Sequence, residues 1–287
     1  MSQIKLGMVG GGQGAFIGSV HRIAARLDGH YKLVAGALSS NPETSKVSAL
    51  ELDIKQDRSY STFKEMAEKE SSLEDGIEAV AIVTPNYLHF PIAECFLSKE
   101  IHVICDKPLT HNLEDANKFV KAVEDSKALF ALTHNYTGYP MVRQAREICR
   151  SGKIGKIRVI QVEYPQDWLT TPLENASDSP GNKQASWRTD PSKAGAGGCI
   201  GDIGSHGAHL LEYMLGQRIT EVSADLTTFV AGRVLDDDGS VLMRFEEGAR
   251  GVLLTSQVSV GEENGLTVRV YGDQRGVRWS QERPDHL

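Results

Sequence analysis

Along the first half of the chain, apolar and polar positions alternate between short β-rich runs and longer amphipathic stretches. The pattern predicts strands at about 4–9, 31–38, 77–83, 101–105 and 128–133, and helices near 16–28, 42–52, 62–70, 88–99 and 112–126. The runs Ala79-Val80-Ala81-Ile82-Val83 and Ile101-His102-Val103-Ile104-Cys105 are continuously apolar or nearly so. That is the pattern of parallel strands covered by helices on both faces, and it predicts a doubly wound α/β sheet.

After Asn135 the pattern changes. A helix near 139–151 and a strand near 156–164 precede a loop from about Pro165 to Gly198, rich in Pro, Ser, Asn and Asp. A helical stretch over 199–215 leads into strands at 219–230, 239–246, 250–259, 266–272 and 276–280. Alternation such as Val241-Leu242-Met243-Arg244-Phe245 and Leu266-Thr267-Val268-Arg269-Val270 predicts antiparallel strands with one wet face. The expected domains are therefore 1–134, a Rossmann-type doubly wound parallel sheet, and 135–287, an α+β domain with a mostly antiparallel open sheet. The long loop exceeds a mere connection and reads as functional.

Composition narrows the possibilities. The 287 residues are 40% hydrophobic, enough for a proper core, and carry a net charge of −7 with a pI near 5.7. No basic run offers a nucleic-acid surface. No apolar stretch approaches the roughly 20 residues of a membrane span. The start, Ile4-Lys5-Leu6-Gly7-Met8-Val9, lacks a signal-peptide pattern, so a cytoplasmic location is expected. Cys95, Cys105, Cys149 and Cys199 form no CxxC pair and read as reduced, mostly buried thiols.

Gly10-Gly11-Gly12-Gln13-Gly14-Ala15 satisfies GxGxxG/A between a predicted strand and a predicted helix. In that context the glycines allow a tight turn and a close approach of backbone to a pyrophosphate, which then sits on the helix N-terminus at Phe16 and Ile17. A second register is available, with Gly10, Gly12 and Gly18 as the three glycines and Gly18 packing the helix on the sheet. The second strand ends Leu38-Ser39-Ser40-Asn41, without the acidic residue that grips a ribose 2′-hydroxyl and without an Arg for a 2′-phosphate. Ser39 and Ser40 can contact either group, which leaves NAD or NADP open.

Two segments follow apolar strands on the side where open α/β sheets bind ligands: Thr84-Pro85-Asn86-Tyr87-Leu88-His89 and Asp106-Lys107-Pro108-Leu109. A lysine there is partly desolvated and can orient and polarise a substrate hydroxyl, although a solvated surface lysine fits the position when taken alone. The second domain supplies Gly201-Asp202-Ile203-Gly204-Ser205-His206-Gly207-Ala208-His209. On an α-helix Asp202, His206 and His209 share one face, so a carboxylate can orient or activate an imidazole. The same spacing can bind a metal, and a metal-dependent hydrolase is one alternative; a cofactor-binding sensor without turnover is another.

On these residues the sequence resembles the Gfo/Idh/MocA family of glucose-fructose oxidoreductase and inositol dehydrogenase over nearly the whole chain. The shared marks are the glycine turn with His21 beyond it, Thr84-Pro85-Asn86, Asp106-Lys107-Pro108 where Glu-Lys-Pro is commoner, Trp187-Arg188, and Ala196-Gly197-Gly198 leading into Asp202 and His206. The resemblance implies an NAD(P)-dependent dehydrogenase acting on the CH–OH group of a sugar or polyol, with no resident metal. It implies Lys107 and His206 as the catalytic pair with Asp202 assisting. Cofactor contacts are then expected from Gly10, Gly12, Gln13, Gly14, Ala15, Phe16, Ile17, Ser39, Ser40, Thr84, Pro85, Asn86, His89, Asp106, Lys107, Asn135, Trp187 and Arg188. Substrate contacts are expected from Lys107, Tyr164, Gln166, Asp167, Trp168, Asp202, His206 and His209, the segment 164–168 resembling the sugar pocket of levoglucosan-type dehydrogenases. The open sheet implies a homo-oligomer. Three departures stand out: an enlarged loop between Gly12 and Gly18, His209 where the family often has Asp, and a chain that ends at Leu287 where relatives continue, so that the second domain is expected to lack its C-terminal part.

Overall fold

The computed structural model describes residues 3–176 and 182–287. The chain separates into two compact units, Met1–Thr133 and His134–Leu287, each with its own sheet and core.

The first unit follows the predicted alternation: β1 (Ile4–Gly10), α1 (Phe16–Leu27), β2 (Tyr31–Ala37), α2 (Pro42–Glu51), α3 (Phe63–Glu70), β3 (Ala79–Val83), α4 (His89–Leu97), β4 (His102–Asp106), α5 (Leu113–Asp125) and β5 (Phe130–Thr133). The strands pair in parallel in the order β2-β1-β3-β4-β5. A single parallel bridge, Gly36 to Ser59, adds the remnant of a further strand outside β2. With it the order is that of dinucleotide-binding sheets, in which the direction of winding reverses between β1 and β3. All five residues of β3 are buried: Val80 and Ile82 join a core with Met66, Phe96 and Phe119, and Ala79, Ala81 and Val83 join another with Leu6 and Met8. That is the physical basis of its unbroken apolar run. Side chains cap three helices, with Asn41, Thr62 and Asn112 accepting from the N–H groups of Thr44, Glu65 and Asp115.

The second unit contains α6 (Pro140–Arg150), β6 (Ile157–Pro165), α7 (Asn182–Arg188), α8 (Pro191–Ala194), α9 (Ser205–Leu215), β7 (Ile219–Thr227), β8 (Asp238–Phe245), β9 (Arg250–Ser256), β10 (Thr267–Gly272) and β11 (Gly276–Ser280). Its sheet runs β11-β10-β6-β9-β8-β7, antiparallel except for the parallel β6–β9 pair. Val162, Val241, Leu253, Val268 and Trp279 bury one side of the sheet against Leu210, Leu211 and Met214 of α9 and Val142 of α6. Leu242 and Leu254 stay exposed on the opposite side.

Three expectations need correction. The segment 165–198 is not all loop, since it carries the short helices α7 and α8. The strands expected to reach 230 and 259 stop at Thr227 and Ser256, where the chain turns to bring Gln257 N–H to Asp237 O at 2.9 Å. The helix expected from 199 opens with a π turn over Ile200–Gly204. Asp236 pins the entry to this turn: its carboxylate accepts from Gly198 N–H and Ile200 N–H, both at 2.7 Å.

Candidate functional site

At the end of β1 the chain turns through Gly10 (φ +81°) and Gly11 (φ +75°), a region closed to most side chains. Gly12 N–H then bonds Leu38 O at 3.1 Å, and Gln13 N–H bonds Ser48 Oγ at 3.0 Å. The Gln13 amide donates to Glu51 at 2.6 Å. A polar stripe on α2 thus holds the turn from one side. From the other side, a Cβ on Gly11 would stand 3.0 Å from Gly18 Cα. Gly18 is therefore the glycine that lets α1 approach the turn, and the register using Gly10, Gly12 and Gly18 describes the packing.

This unit fits a dinucleotide. Ala15, the N-cap of α1, offers no side-chain hydrogen bond, so the first-turn N–H groups beginning at Phe16 and Ile17 are uncapped beside the glycine turn. At the end of β3, across the reversal of winding, Thr84 Oγ1 is buried without a partner. An unpaired buried hydroxyl in that crevice suits a polar ligand group. Ser39 and Ser40 follow β2, where Ser39 Oγ accepts from Asn41 N–H at 3.1 Å.

Asn86 is buried in the turn after Pro85. His89 is only 1% exposed, and its ring nitrogens lie 2.7 Å from Pro108 O and 2.9 Å from Thr84 O. Burial pushes its pKa down, against the two carbonyls and Asp106, which raise it. Both of its ring nitrogens thus face backbone carbonyls. Asp106, at the end of β4, meets His21 Nε2 at 3.2 Å and accepts from Thr133 Oγ1 at 2.9 Å. Burial alone would raise its pKa, yet His21, Thr133 and Lys107 hold it below the usual carboxylate range. Lys107 follows, half-buried.

In the second unit, Asp202 lies within the π turn. Its Oδ2 accepts from Arg188 Nε at 3.1 Å and from Gln257 Nε2 at 3.0 Å. The Arg188 guanidinium lies over the Trp187 ring at 4.1 Å and within 5.9 Å of the Trp168 ring. His206, 8% exposed, rests against the Tyr136 ring edge-to-face at 4.8 Å and near Tyr164 at 6.3 Å. Beneath it runs a buried polar chain: Tyr164 donates to Asn264 Oδ1 at 2.6 Å, which leaves the short Tyr136–Tyr164 bond to be donated by Tyr136. The Gln166 amide joins at Asn264 Oδ1, 2.9 Å away. Tyr164 is 3% exposed, so it supports the site from below. Asp167 accepts from Gly261 N–H at 3.3 Å. Asn135 is exposed at the start of this unit.

The α-helical spacing that put Asp202, His206 and His209 on one face does not carry across a π turn, which contains an extra residue. His209 instead stacks on His134, centroids 3.6 Å apart and rings 13° from parallel, and burial lowers its pKa. Among the described residues no three His, Cys, Asp or Glu side chains are grouped to hold a metal, so the hydrolase alternative loses its donor set. The sequence reading missed Gln257, Asp236, Tyr136 and Asn264. Each acts through a contact distant in sequence, and no local motif marks it.

Residues 4–147 match a family described as "Oxidoreductase family, NAD-binding Rossmann fold" (GFO_IDH_MocA), and residues 142–278 match the "GFO/IDH/MocA C-terminal domain". An oxidoreductase of known crystal structure from Sinorhizobium meliloti is 53% identical, with a TM-score of 0.86 over 99% of this chain and 74% of that one. An inositol dehydrogenase homolog from Azotobacter vinelandii, solved with NADH and myo-inositol, is 32% identical, with a TM-score of 0.91 over 99% of this chain and 72% of its own. Levoglucosan dehydrogenase of Pseudarthrobacter phenanthrenivorans is 28% identical over 318 aligned residues, covering 100% of this chain and 76% of the enzyme. No helix among the described residues is long and apolar enough to cross a membrane.

Proposed function

This chain belongs to the GFO/IDH/MocA family of NAD-binding oxidoreductases, and on that premise we propose that it is a dehydrogenase oxidising a secondary alcohol of a sugar, sugar derivative or cyclitol. One observation carries the reading: the chain combines an uncapped helix N-terminus behind a glycine turn with a buried imidazole, His206, at the start of α9, and a carboxylate, Asp202, one turn earlier that is braced by Arg188 and Gln257. Relatives that bind NADH with myo-inositol, or act on levoglucosan, supply the substrate class.

Gly10, Gly12, Gln13, Gly14 and Ala15 would hold the nucleotide, with Phe16 and Ile17 offering uncapped N–H groups for its pyrophosphate. Segment 38–45 contains no Arg or Lys and includes Glu43, which disfavours a 2′-phosphate, so NAD is preferred to NADP. When bound, the nicotinamide supplies the hydride acceptor. Lys107 donates a hydrogen bond to the reacting hydroxyl, and His206 takes its proton as the carbinol C–H bond breaks and the carbonyl forms. Arg188 and Gln257 hold Asp202 in one orientation by their hydrogen bonds to its Oδ2. Gln166, Asp167, Trp168 and His209 select among substrate hydroxyls.

The open side of the second sheet carries Val159, Leu242, Leu254 and Tyr271, all more than 40% exposed. At its upper edge is a cleft of about 620 Å³ lined by Phe229, Val258 and Val260 among others. This face is proposed to pair with a second copy of the chain, as its exposed apolar side chains suit. Leu242→Arg should then lower the mass found by sedimentation, and an unchanged mass counts against this face.

The activity is tested with a panel of sugars and cyclitols, including myo-inositol and levoglucosan, offered with NAD and NADP and followed by nicotinamide absorbance. Lys107→Met and His206→Ala should each lower kcat by about 10²-fold or more while cofactor affinity changes little. Full activity in both variants sinks the assignment.

A further inference from the structure

We infer that His89 is a positioning residue whose imidazole ties the turn after β3 to the turn after β4 and so fixes the place of Lys107; this rests on the role proposed for Lys107 above. The ring sits at the first residue of α4, and that helix is anchored in the core by Ile92, Ala93, Phe96 and Leu97. Its nitrogens reach Thr84 O and Pro108 O, one carbonyl from each turn. The β3–β4 ladder ends at Ile82 and Cys105. Beyond that rung, the imidazole spans the gap between the two turns. Pro108 directly follows Lys107, so holding its carbonyl holds the backbone that aims the ammonium group. The same ring holds the carbonyl of Thr84, whose buried hydroxyl has no hydrogen-bond partner.

The imidazole donates through one nitrogen when neutral and through both when protonated. When protonated the ring donates to both carbonyls and ties them; when neutral it donates to one and only spaces the other by its packed bulk. A side chain of similar shape without nitrogens keeps the packing and loses the tie. The expected result is a turn after β4 that wanders while the sheet remains intact. Misplacement of a reacting group by about 1 Å costs on the order of 10²-fold in rate.

The experiment is a double-mutant cycle of His89→Phe with Lys107→Met in the full chain. His89→Phe alone should lower kcat by about 10- to 100-fold with the NADH dissociation constant within about threefold of wild type. His89→Gln, which keeps a donor, should recover part of the loss. The double variant should be no slower than Lys107→Met alone, because a misplaced lysine and an absent one are the same defect. Additive losses, or a lower melting temperature with unchanged kcat per folded molecule, overturn the inference. If Lys107→Met itself keeps full activity, the proposed function fails instead, and the two failures are distinct. Amide hydrogen exchange gives a readout without substrate: His89→Phe should raise exchange together in 84–89 and 107–110 while β3 and β4 stay protected. A rise in only one segment, or in neither, refutes the tie. Should His89→Phe not fold, both measurements are made on His89→Gln, with the same direction expected at smaller size.

Discussion

Replacing Gly18 by alanine tests how the glycine turn and α1 hold a cofactor. A Cβ at Gly18 would stand 2.8 Å from Gly11 O and closer still to Gly11 Cα. Both are backbone atoms at a turn held by Leu38 O and Ser48 Oγ, so no flexible side chain can swing away. Ordinary van der Waals separation begins near 3.4 Å, so the helix must retreat by roughly 1 Å, at an overpacking cost of about 1–3 kcal/mol. The helix that moves is the one whose uncapped first-turn N–H groups are proposed to meet the pyrophosphate. Losing one hydrogen bond to a charged oxygen costs about 1.5–3 kcal/mol, which weakens NADH binding by about 10- to 100-fold. Fluorescence titration with NADH measures the affinity, and urea unfolding measures the stability. Gly29→Ala is the control: its φ of +67° also penalises a side chain, but nothing lies within 4 Å of the new Cβ. It should lose stability and leave affinity alone. A Gly18→Ala protein that binds NADH within twofold of wild type would refute the close-approach argument.

Two further predictions concern the carboxylates. Asp106 is held below the usual carboxylate pKa in the folded chain; its contribution to stability is therefore full above the unfolded value of about 4 and is lost as pH falls through the lower folded value. Asp106→Asn should reduce stability at neutral pH and close most of that gap below pH of about 4, as read from melting temperatures across pH; a gap independent of pH contradicts the His21–Asp106–Thr133 account. Gln257→Leu removes one of the two donors on Asp202 Oδ2 inside a site where the glutamine is 2% exposed. It should lower kcat by about tenfold with cofactor affinity unchanged, and a kcat within twofold of wild type would show that the Gln257 bond does not position the carboxylate.

Much of this molecule was legible before any coordinates, because the relevant physics is local. Period-2 and period-3.6 hydrophobicity located the strands of both units and their helices apart from the short α7 and α8, and the continuous apolar run at 79–83 announced a strand buried on both faces. The glycine turn was visible because a tight turn before an uncapped helix needs particular residues in consecutive positions. The motifs carrying Lys107 and the Asp202/His206 pair were visible for the same reason. What the sequence left open depended on groups far apart in the chain. Two registers of the glycine turn were equally readable, and only the contact of Gly18 with Gly11 distinguished them. The entry to the π turn at 200–204 is held by Asp236, which reaches back 38 residues to take the Gly198 N–H. Gln257 meets Asp202 across 55 residues. His89 stood in a ligand-side motif and read as a cofactor contact, whereas the packed structure turned both of its nitrogens onto backbone carbonyls. Local sequence determined which groups stand at the strand ends, since backbone preference and burial act over a few residues. Tertiary structure decided what each group is bonded to, since a buried polar atom takes whichever partner the packing brings within reach.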